Sequence, residues 1–475
     1  MPASALMTLV PTMAARPRVL IVGGGPVGLE AAVSCSLSGF AVTLCEKGPS
    51  VGSAVSDWGH VRLFSSNELN CSPDGLRALS EVGCAAPDPA VYPTGAQYCA
   101  AYLQPLATWL ERRDDCDVIV DAAVESISRG SLLKGEAIKA VGANARDDCP
   151  FAALVDVRGE ETLIDGLAAV IDCSGTYGNG NNLGRGGAPA MGERKLRAEP
   201  AAAVADCFFD RLPDVLGADL PSFMPPEGAE EPAGGTSPQV VSVVLVGGGY
   251  SAATTLRSLL EHARSRAGSM TLEVDWLLRR PAASGEPYAV VPDDPLPSRD
   301  ELVQFANGVA AGETRFTAGT LVRVHRGATI NAVKRDPTTH GLVVQGTCEG
   351  GGEPAAFELR PRTLVSHVGF RPSYDLAREL QVHVCYASEG PMKLAASLLA
   401  ARVAAESSGD AAAAGDCLKQ AAPGPELLTT PEPNFHVLGS KSYGRASSFL
   451  LMIGHKQVEA VVTLLKKALL AKELS

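Results

Sequence analysis

The stretch "VLIVGGGPVGLEAAV" (residues 19–33) places its most flexible residues between two rigid elements. Residues 19–22 are apolar and rich in β-branched side chains, as a buried parallel strand requires. Gly23, Gly25 and Gly28 follow in the spacing G-x-G-x-x-G. The first glycine allows a tight turn. The second lets a pyrophosphate approach the backbone, and the third lets the next helix pack on the strand. That helix is expected over roughly residues 27–38, just after Pro26, with its N-terminal N–H groups facing the phosphate. Gly39 closes it, and "FAVTLCE" (40–46) makes a second strand tipped by Glu46, followed by Lys47. An acid at that strand end binds ribose hydroxyls.

A second copy begins at "VSVVLVGGGYSAATTL" (241–256). Gly247, Gly249 and Ala252 fit the G-x-G-x-x-A variant, and Ser251 adds a hydroxyl to the cradle. A helix to about residue 264 leads to the strand "TLEVDWLL", which ends in Arg279 and Arg280 rather than an acid. Arginine favours a 2′-phosphate where an acid favours a free 2′-hydroxyl. The two copies therefore read as an FAD site followed by an NADPH site. One holds a resident redox cofactor and the other a diffusible hydride donor.

Three further stretches fit this plan. "AAVIDCSGTY" (168–177) is a buried strand running into Ser174 and Gly175. "TLVSHVGFRP" (363–372) repeats that shape and brings Gly369 toward the NADPH site. Residues 434–458 read as a strand, a turn at Gly439 and Ser440, and a long helix opening at Ser447 and Ser448 and aimed at the flavin. The fold expected is α/β, with two Rossmann-like dinucleotide-binding domains, the NADPH domain inserted in a discontinuous FAD domain. The boundaries read as 1–185 and 360–475 for the FAD domain and 238–359 for the NADPH domain. Residues 186–237 form a linker or exposed excursion, rich in Pro, Gly, Ala and Glu. The alanine-rich run 395–425 reads as a helix plus a surface insertion without chemistry.

The bulk numbers narrow the function. With 46% hydrophobic residues, the 475-residue chain can bury large cores. A net charge of −12, no basic block and 5% aromatic residues argue against a nucleic-acid partner. No apolar run is long enough to span a membrane. The N-terminal segment "MPASALMTLVPTMAARPR" lacks acids but also lacks a signal peptide's apolar region, so a cytoplasmic location is favoured over organelle targeting. The twelve cysteines include no C-x-x-C pair, which removes zinc and dithiol spacings. They read as reduced, mostly buried small hydrophobes.

With these residues in place, the chain resembles the two-dinucleotide-binding-domain flavoproteins, and within them the class B flavin monooxygenases. It is most similar to a branch of predicted flavoproteins associated with cation-diffusion transporters. The stretches that carry this are the two glycine fingerprints, "WGHVRLFSSNELN" (58–70), "LPDVLGADL" (212–220), "VGFRP" and "VLGSKSYGR" (437–445). The chain departs from the group in lacking F-x-G-x-x-x-H. It also has Ser440 where an aspartate is usual and His367-Val368-Gly369 where Ala-Thr-Gly is usual. The resemblance implies FAD reduced by NADPH, and one oxygen atom inserted into a small molecule from O2 through a flavin C4a-hydroperoxide. Two alternatives stand beside it: an NADPH-dependent reductase or diaphorase without oxygenation, and a nucleotide-binding redox sensor that is not an enzyme. A disulfide reductase is disfavoured for want of a dithiol. No catalytic triad is evident. Candidate catalytic side chains are Trp58, His60 and Arg62, in a loop after the Glu46 strand, and Lys441. Tyr443 and Arg445 are further candidates to line the cleft, and His455 reads as packing. The partners expected are a small-molecule substrate and O2, with homo-oligomer formation left open.

Overall fold

The first parallel strand, β1 (Arg18–Val22), pairs with β2 (Ala41–Cys45), and β2 with β3 (Cys116–Ile119). Between β1 and β2 runs α1 (Pro26–Leu37), buried along nearly its whole length. Its apolar residues therefore surround it rather than forming one stripe. After β3 comes an antiparallel sheet of β4 (Ala122–Ser128), β5 (Phe151–Val157) and β6 (Glu160–Leu167). The chain then returns to the other side of β1 as β7 (Ala169–Asp172).

The second unit repeats this plan. A short strand β8 (Phe208–Phe209) precedes β9 (Gln239–Val246), α2 (Tyr250–Ser265) and β10 (Met270–Leu278). Then come α3 (Pro297–Ala310), β11 (Thr320–Arg326), the antiparallel β12 (Ala328–Arg335), β13 (Leu342–Cys348) and β14 (Ala355–Leu359), and the return strand β15 (Thr363–Ser366). The chain goes back to the first unit through α4 (Met392–Ser407), β16 (Phe435–Val437) and α5 (Leu451–Leu465). The first sheet is ordered β16-β7-β1-β2-β3 and the second β8-β15-β9-β10-β11, both parallel. The fold is thus α/β with two Rossmann-like units, the second inserted in a discontinuous first.

This structure is a computed structural model that describes residues 16–138, 146–225, 239–267, 270–317, 320–349, 353–407 and 422–470. The N-terminal tail to residue 15, the Pro/Gly-rich run at 226–238 and residues 408–421 of the alanine-rich insertion lie outside the described residues. Among the described residues no helix is long and apolar enough to cross a membrane.

Two readings of the sequence need correction. The described part of 186–237 is not simply exposed. Phe209 and Phe223 stack 5.6 Å apart in the second core, and β8 adds an edge strand beside β15. A two-residue strand has no periodicity to read. The last helix does not open at Ser447 and Ser448. It starts at Leu451, with Leu450 as its N-cap and no side-chain cap. Gly454 sets its docking: a Cβ there would lie 2.7 Å from Val27 of α1, so only glycine lets the two helices approach this closely.

Under α1 lies a buried carboxyl. Glu30 accepts hydrogen bonds from Ser72 and Tyr102, with Nε2 of His455 3.8 Å away. Burial outweighs these bonds and raises Glu30 to about 7, while burial lowers His455 to about 4. The folded protein therefore binds more protons at Glu30 than the unfolded chain between pH 4.5 and about 7. Stability from this group is full below that window and falls as pH rises through it, by on the order of 3 kcal/mol. Urea midpoints at pH 5 and pH 8 should show a Glu30→Gln variant gaining on the parent as pH rises. A pH-independent difference would contradict this.

Candidate nucleotide crevices and the residues between them

The two glycine turns have the same steric logic. At Gly23, φ is +96°, and a Cβ would lie 2.8 Å from the Cys173 carbonyl. At Gly247, φ is +127°, and a Cβ would lie 2.2 Å from the His367 carbonyl. Each turn is thus pressed on the backbone that leaves the neighbouring return strand. A Cβ on Gly28 would lie 1.8 Å from the Gly23 carbonyl, and Ala252 is fully buried at the matching position. The second glycines differ. Gly25 and Gly249 have ordinary extended backbones, and a Cβ on either would meet no atom within 4 Å. Both are N-caps of long helices with no side-chain cap, so the helix N–H groups of α1 and α2 face those openings without a side-chain acceptor. Both openings fit a nucleotide pyrophosphate.

At the first crevice Glu46 is buried, and its two oxygens accept the N–H groups of Gly24 and Gly48, both at 2.7 Å. Each oxygen keeps a lone pair for a ribose hydroxyl. The Lys47 ammonium lies 3.8 Å from where a Cβ on Gly178 would stand. Across the crevice, a Cβ on Gly175 would be 3.7 Å from the Ser440 hydroxyl. Gly439 adopts φ +73° and donates its N–H to Gln457 of α5 at 2.9 Å. The fold thus brings together Gly23, Gly25, Pro26, Glu46, Ser174, Gly175, Gly439 and Ser440, which are far apart in sequence.

Lys441 is not a free cation. Its ammonium is buried and donates to Asp172 at 2.6 Å and to Ser174 at 2.9 Å, and it faces the Tyr374 ring at 5.0 Å. Asp172 in turn accepts the Ser174 hydroxyl at 2.7 Å. A buried pair of this kind holds two backbones in register, and removing one partner strands the other charge. Lys441 therefore ties the C-terminal segment to the turn after β7. Asp172 and Gln457 are wall residues that the sequence does not single out. The one signal was an acid ending the strand "AAVID"; Gln457 sits mid-helix and had none.

The loop candidates separate. Trp58 packs against the first core, with its ring 2.9 Å from where a Cβ on Gly95 would stand, as a loop anchor. His60 and Arg62 are exposed, and the Arg62 guanidinium donates to the Tyr92 carbonyl. Tyr443 is buried, and Arg445 pairs with Glu389 at 2.7 Å.

At the second crevice, Arg279 and Arg280 follow the last residue of β10, and both are exposed. Arg326 braces their loop by donating to the carbonyls of Arg280, Pro281 and Gly285. Ser251 lies in the first turn of α2. Gly369, with φ +83°, is two residues past His367 and accepts the Asn181 N–H at 2.9 Å. The His367 imidazole shares a 2.8 Å hydrogen bond with Thr255 of α2. Burial lowers its pKa to about 4, so it is neutral there.

The cysteines are free throughout the described residues, and only Cys84 among them is exposed. They are less buried than expected, since most are half-buried. Cys173, beside Gly28, has its thiol pushed well above the usual range by burial and then by Asp172. A neutral thiol of that kind is a poor nucleophile. Among the described residues no group of His, Cys, Asp and Glu is placed to hold a metal ion.

Solved structures share this architecture. The bacillithiol disulfide reductase Bdr of Bacillus cereus is similar at a TM-score of 0.58 and 15% identity, over 95% of this chain and 99% of that one. The Bdr of Staphylococcus aureus gives 0.56 and 14%, over 96% and 99%. Thioredoxin reductase of Lactococcus lactis gives 0.53 and 12%, over 96% and 100%. No family model and no curated protein sequence matches the chain. At these identities the likeness concerns the fold. The three structures named here are disulfide and thioredoxin reductases.

Proposed function

We propose that this chain is an FAD-dependent, NADPH-using oxidoreductase that passes electrons from the flavin to a small-molecule acceptor or to O2, without a dithiol relay. The observation that supports it best is the pair of openings at Gly25 and Gly249, each over an uncapped helix N-terminus. FAD is assigned to the unit built from 1–185 and 360–475, with Gly23, Gly25, Gly28 and Glu46 as its cradle. NADPH is assigned to 238–359, with Gly247, Gly249, Ser251, Ala252, Arg279, Arg280 and Gly369.

Held by Gly23, Gly25, Gly28 and Glu46, FAD would supply two-electron chemistry, with hydride from NADPH as the electron source and the acceptor as the sink. The chain's own residues bind and orient. The N-termini of α1 and α2 neutralise phosphate charge, and Glu46 holds a ribose. The Asp172–Lys441–Ser174 cluster keeps the wall of the first crevice in place. The absence of C-x-x-C and the inert thiol of Cys173 argue against an internal disulfide. Insertion of one oxygen atom into a substrate is the finer reading, carried by the sequence resemblance. Acceptor reduction without oxygenation is favoured by the reductase-like fold.

The test is the absorbance of purified protein, an anaerobic NADPH titration, then admission of air. The expected result is a yellow protein bleached by about one equivalent of NADPH. Air with substrate candidates then separates the readings. Oxygenated product indicates a monooxygenase, and H2O2 alone, with quinone reduction under nitrogen, indicates a reductase. A colourless protein that takes up no FAD would sink the proposal.

A further inference from the structure

We infer that Phe64 is a positioning residue: it docks the second glycine turn against the first unit so that the two bound cofactors can exchange a hydride. The inference rests on the FAD/NADPH reading above. Phe64 belongs to the loop after β2, yet its side chain packs on the core of the second unit. Its ring meets Tyr250 edge-on, at 5.5 Å and 69°. Tyr250 is the first residue of α2, directly after Gly249.

A row of rings continues behind it. Tyr250 lies 6.3 Å from Tyr288, and Tyr288 6.3 Å from Trp276, both at 30°. The row ends on the turn itself. The Tyr288 hydroxyl donates to the Gly249 carbonyl at 3.0 Å, and the Trp276 indole N–H donates to the Gly247 carbonyl at 2.9 Å. The carbonyls of Gly247 and Gly249 are thus held from behind by two side chains of the second unit. Beside Phe64, Ser65, Leu69 and Asn70 share a small cavity with Leu296 of the second unit and with Leu450 and Leu451 at the start of α5. The contact therefore joins the loop, the second glycine turn and the helix start expected to face the flavin.

Edge-on aromatic pairs add free energy beyond buried area and favour one orientation. A docking contact of this kind acts on the distance between reacting atoms, to which hydride transfer is steeply sensitive. Binding of each nucleotide depends on its own cradle and should be unaffected. Phe64 would then matter for the rate of flavin reduction and not for either affinity.

The experiment is stopped-flow flavin bleaching by saturating NADPH, without oxygen, in the parent, Phe64→Ala and Phe64→Leu. Flavin content, melting temperature and the NADPH Kd are measured alongside. Phe64→Ala is expected to bleach about tenfold more slowly, with Kd and flavin content within about twofold of the parent. Phe64→Leu, which keeps an apolar side chain, is expected to recover most of the rate. In nucleotide-free protein, amide exchange of residues 250–256 is expected to speed up in Phe64→Ala only. An unchanged bleaching rate, an effect confined to Kd, or unchanged exchange would overturn the inference. If NADPH fails to bleach the parent, the underlying cofactor reading has failed instead.

Discussion

Gly25→Val is expected to fold normally and purify without flavin. The backbone of Gly25 is extended, with φ −77° and ψ −176°, a conformation that valine readily adopts. A Cβ there touches no protein atom within 4 Å, so the folded chain has room for it. The side chain instead projects into the space where a pyrophosphate must approach. A hundredfold loss of FAD affinity, about 2.8 kcal/mol, is the expected scale. The urea midpoint should stay within about 0.5 kcal/mol of the parent, as for a substitution that disturbs no packing. Gly249→Val should behave in parallel, keeping the flavin and losing its reduction by NADPH. Neither Gly23→Ala nor Gly28→Ala would be informative. The first forces a side chain onto φ +96° and the Cys173 carbonyl, and the second onto the Gly23 carbonyl, so both would damage the fold. A yellow, folded Gly25→Val protein with full flavin content would refute the placement of FAD at β1 and α1.

NADPH is expected to reduce the flavin about ten- to a hundredfold more effectively than NADH, and Arg279 and Arg280 are the reason. The two arginines follow β10 directly and are exposed, at the position where an acid would select the free 2′-hydroxyl. A guanidinium meets a 2′-phosphate through paired, charge-assisted hydrogen bonds worth about 1.5–3 kcal/mol. That free energy converts to the stated discrimination. Arg326 holds the loop carbonyls behind them, so the loop has a defined shape before any nucleotide arrives. Arg279, nearer the strand end, is expected to contribute more, with Arg280 stacking on the adenine. Flavin reduction by each nucleotide in the parent, Arg279→Ala and Arg280→Ala measures this. Equal reduction by NADH and NADPH in the parent, or an unchanged ratio in both variants, would remove the assignment.

The sequence by itself determined the two glycine turns, their strands and helices, and the acid and arginines at the strand ends. These are local features. A G-x-G-x-x-G turn between an apolar strand and a helix is specified by φ and by Cβ volume within about thirty residues. The glycine turn and the return strand of each unit were legible for the same reason, whereas the antiparallel sheets between them were not. Edge pairing was not. β8 is two residues long and belongs to the second sheet only because β15 lies beside it. The start of the last helix was misread because two serines resemble a cap, whereas the docking of Gly454 on Val27 sets where α5 can run. Lys441 could be chosen as a candidate from sequence, but its role could not. Its partner Asp172 lies 269 residues away, and only burial of both makes the pair obligatory. Phe64 carried no signal as a single aromatic in a loop. It acquires a role because the second unit presents Tyr250 to it, a juxtaposition of long-range packing that no local pattern encodes.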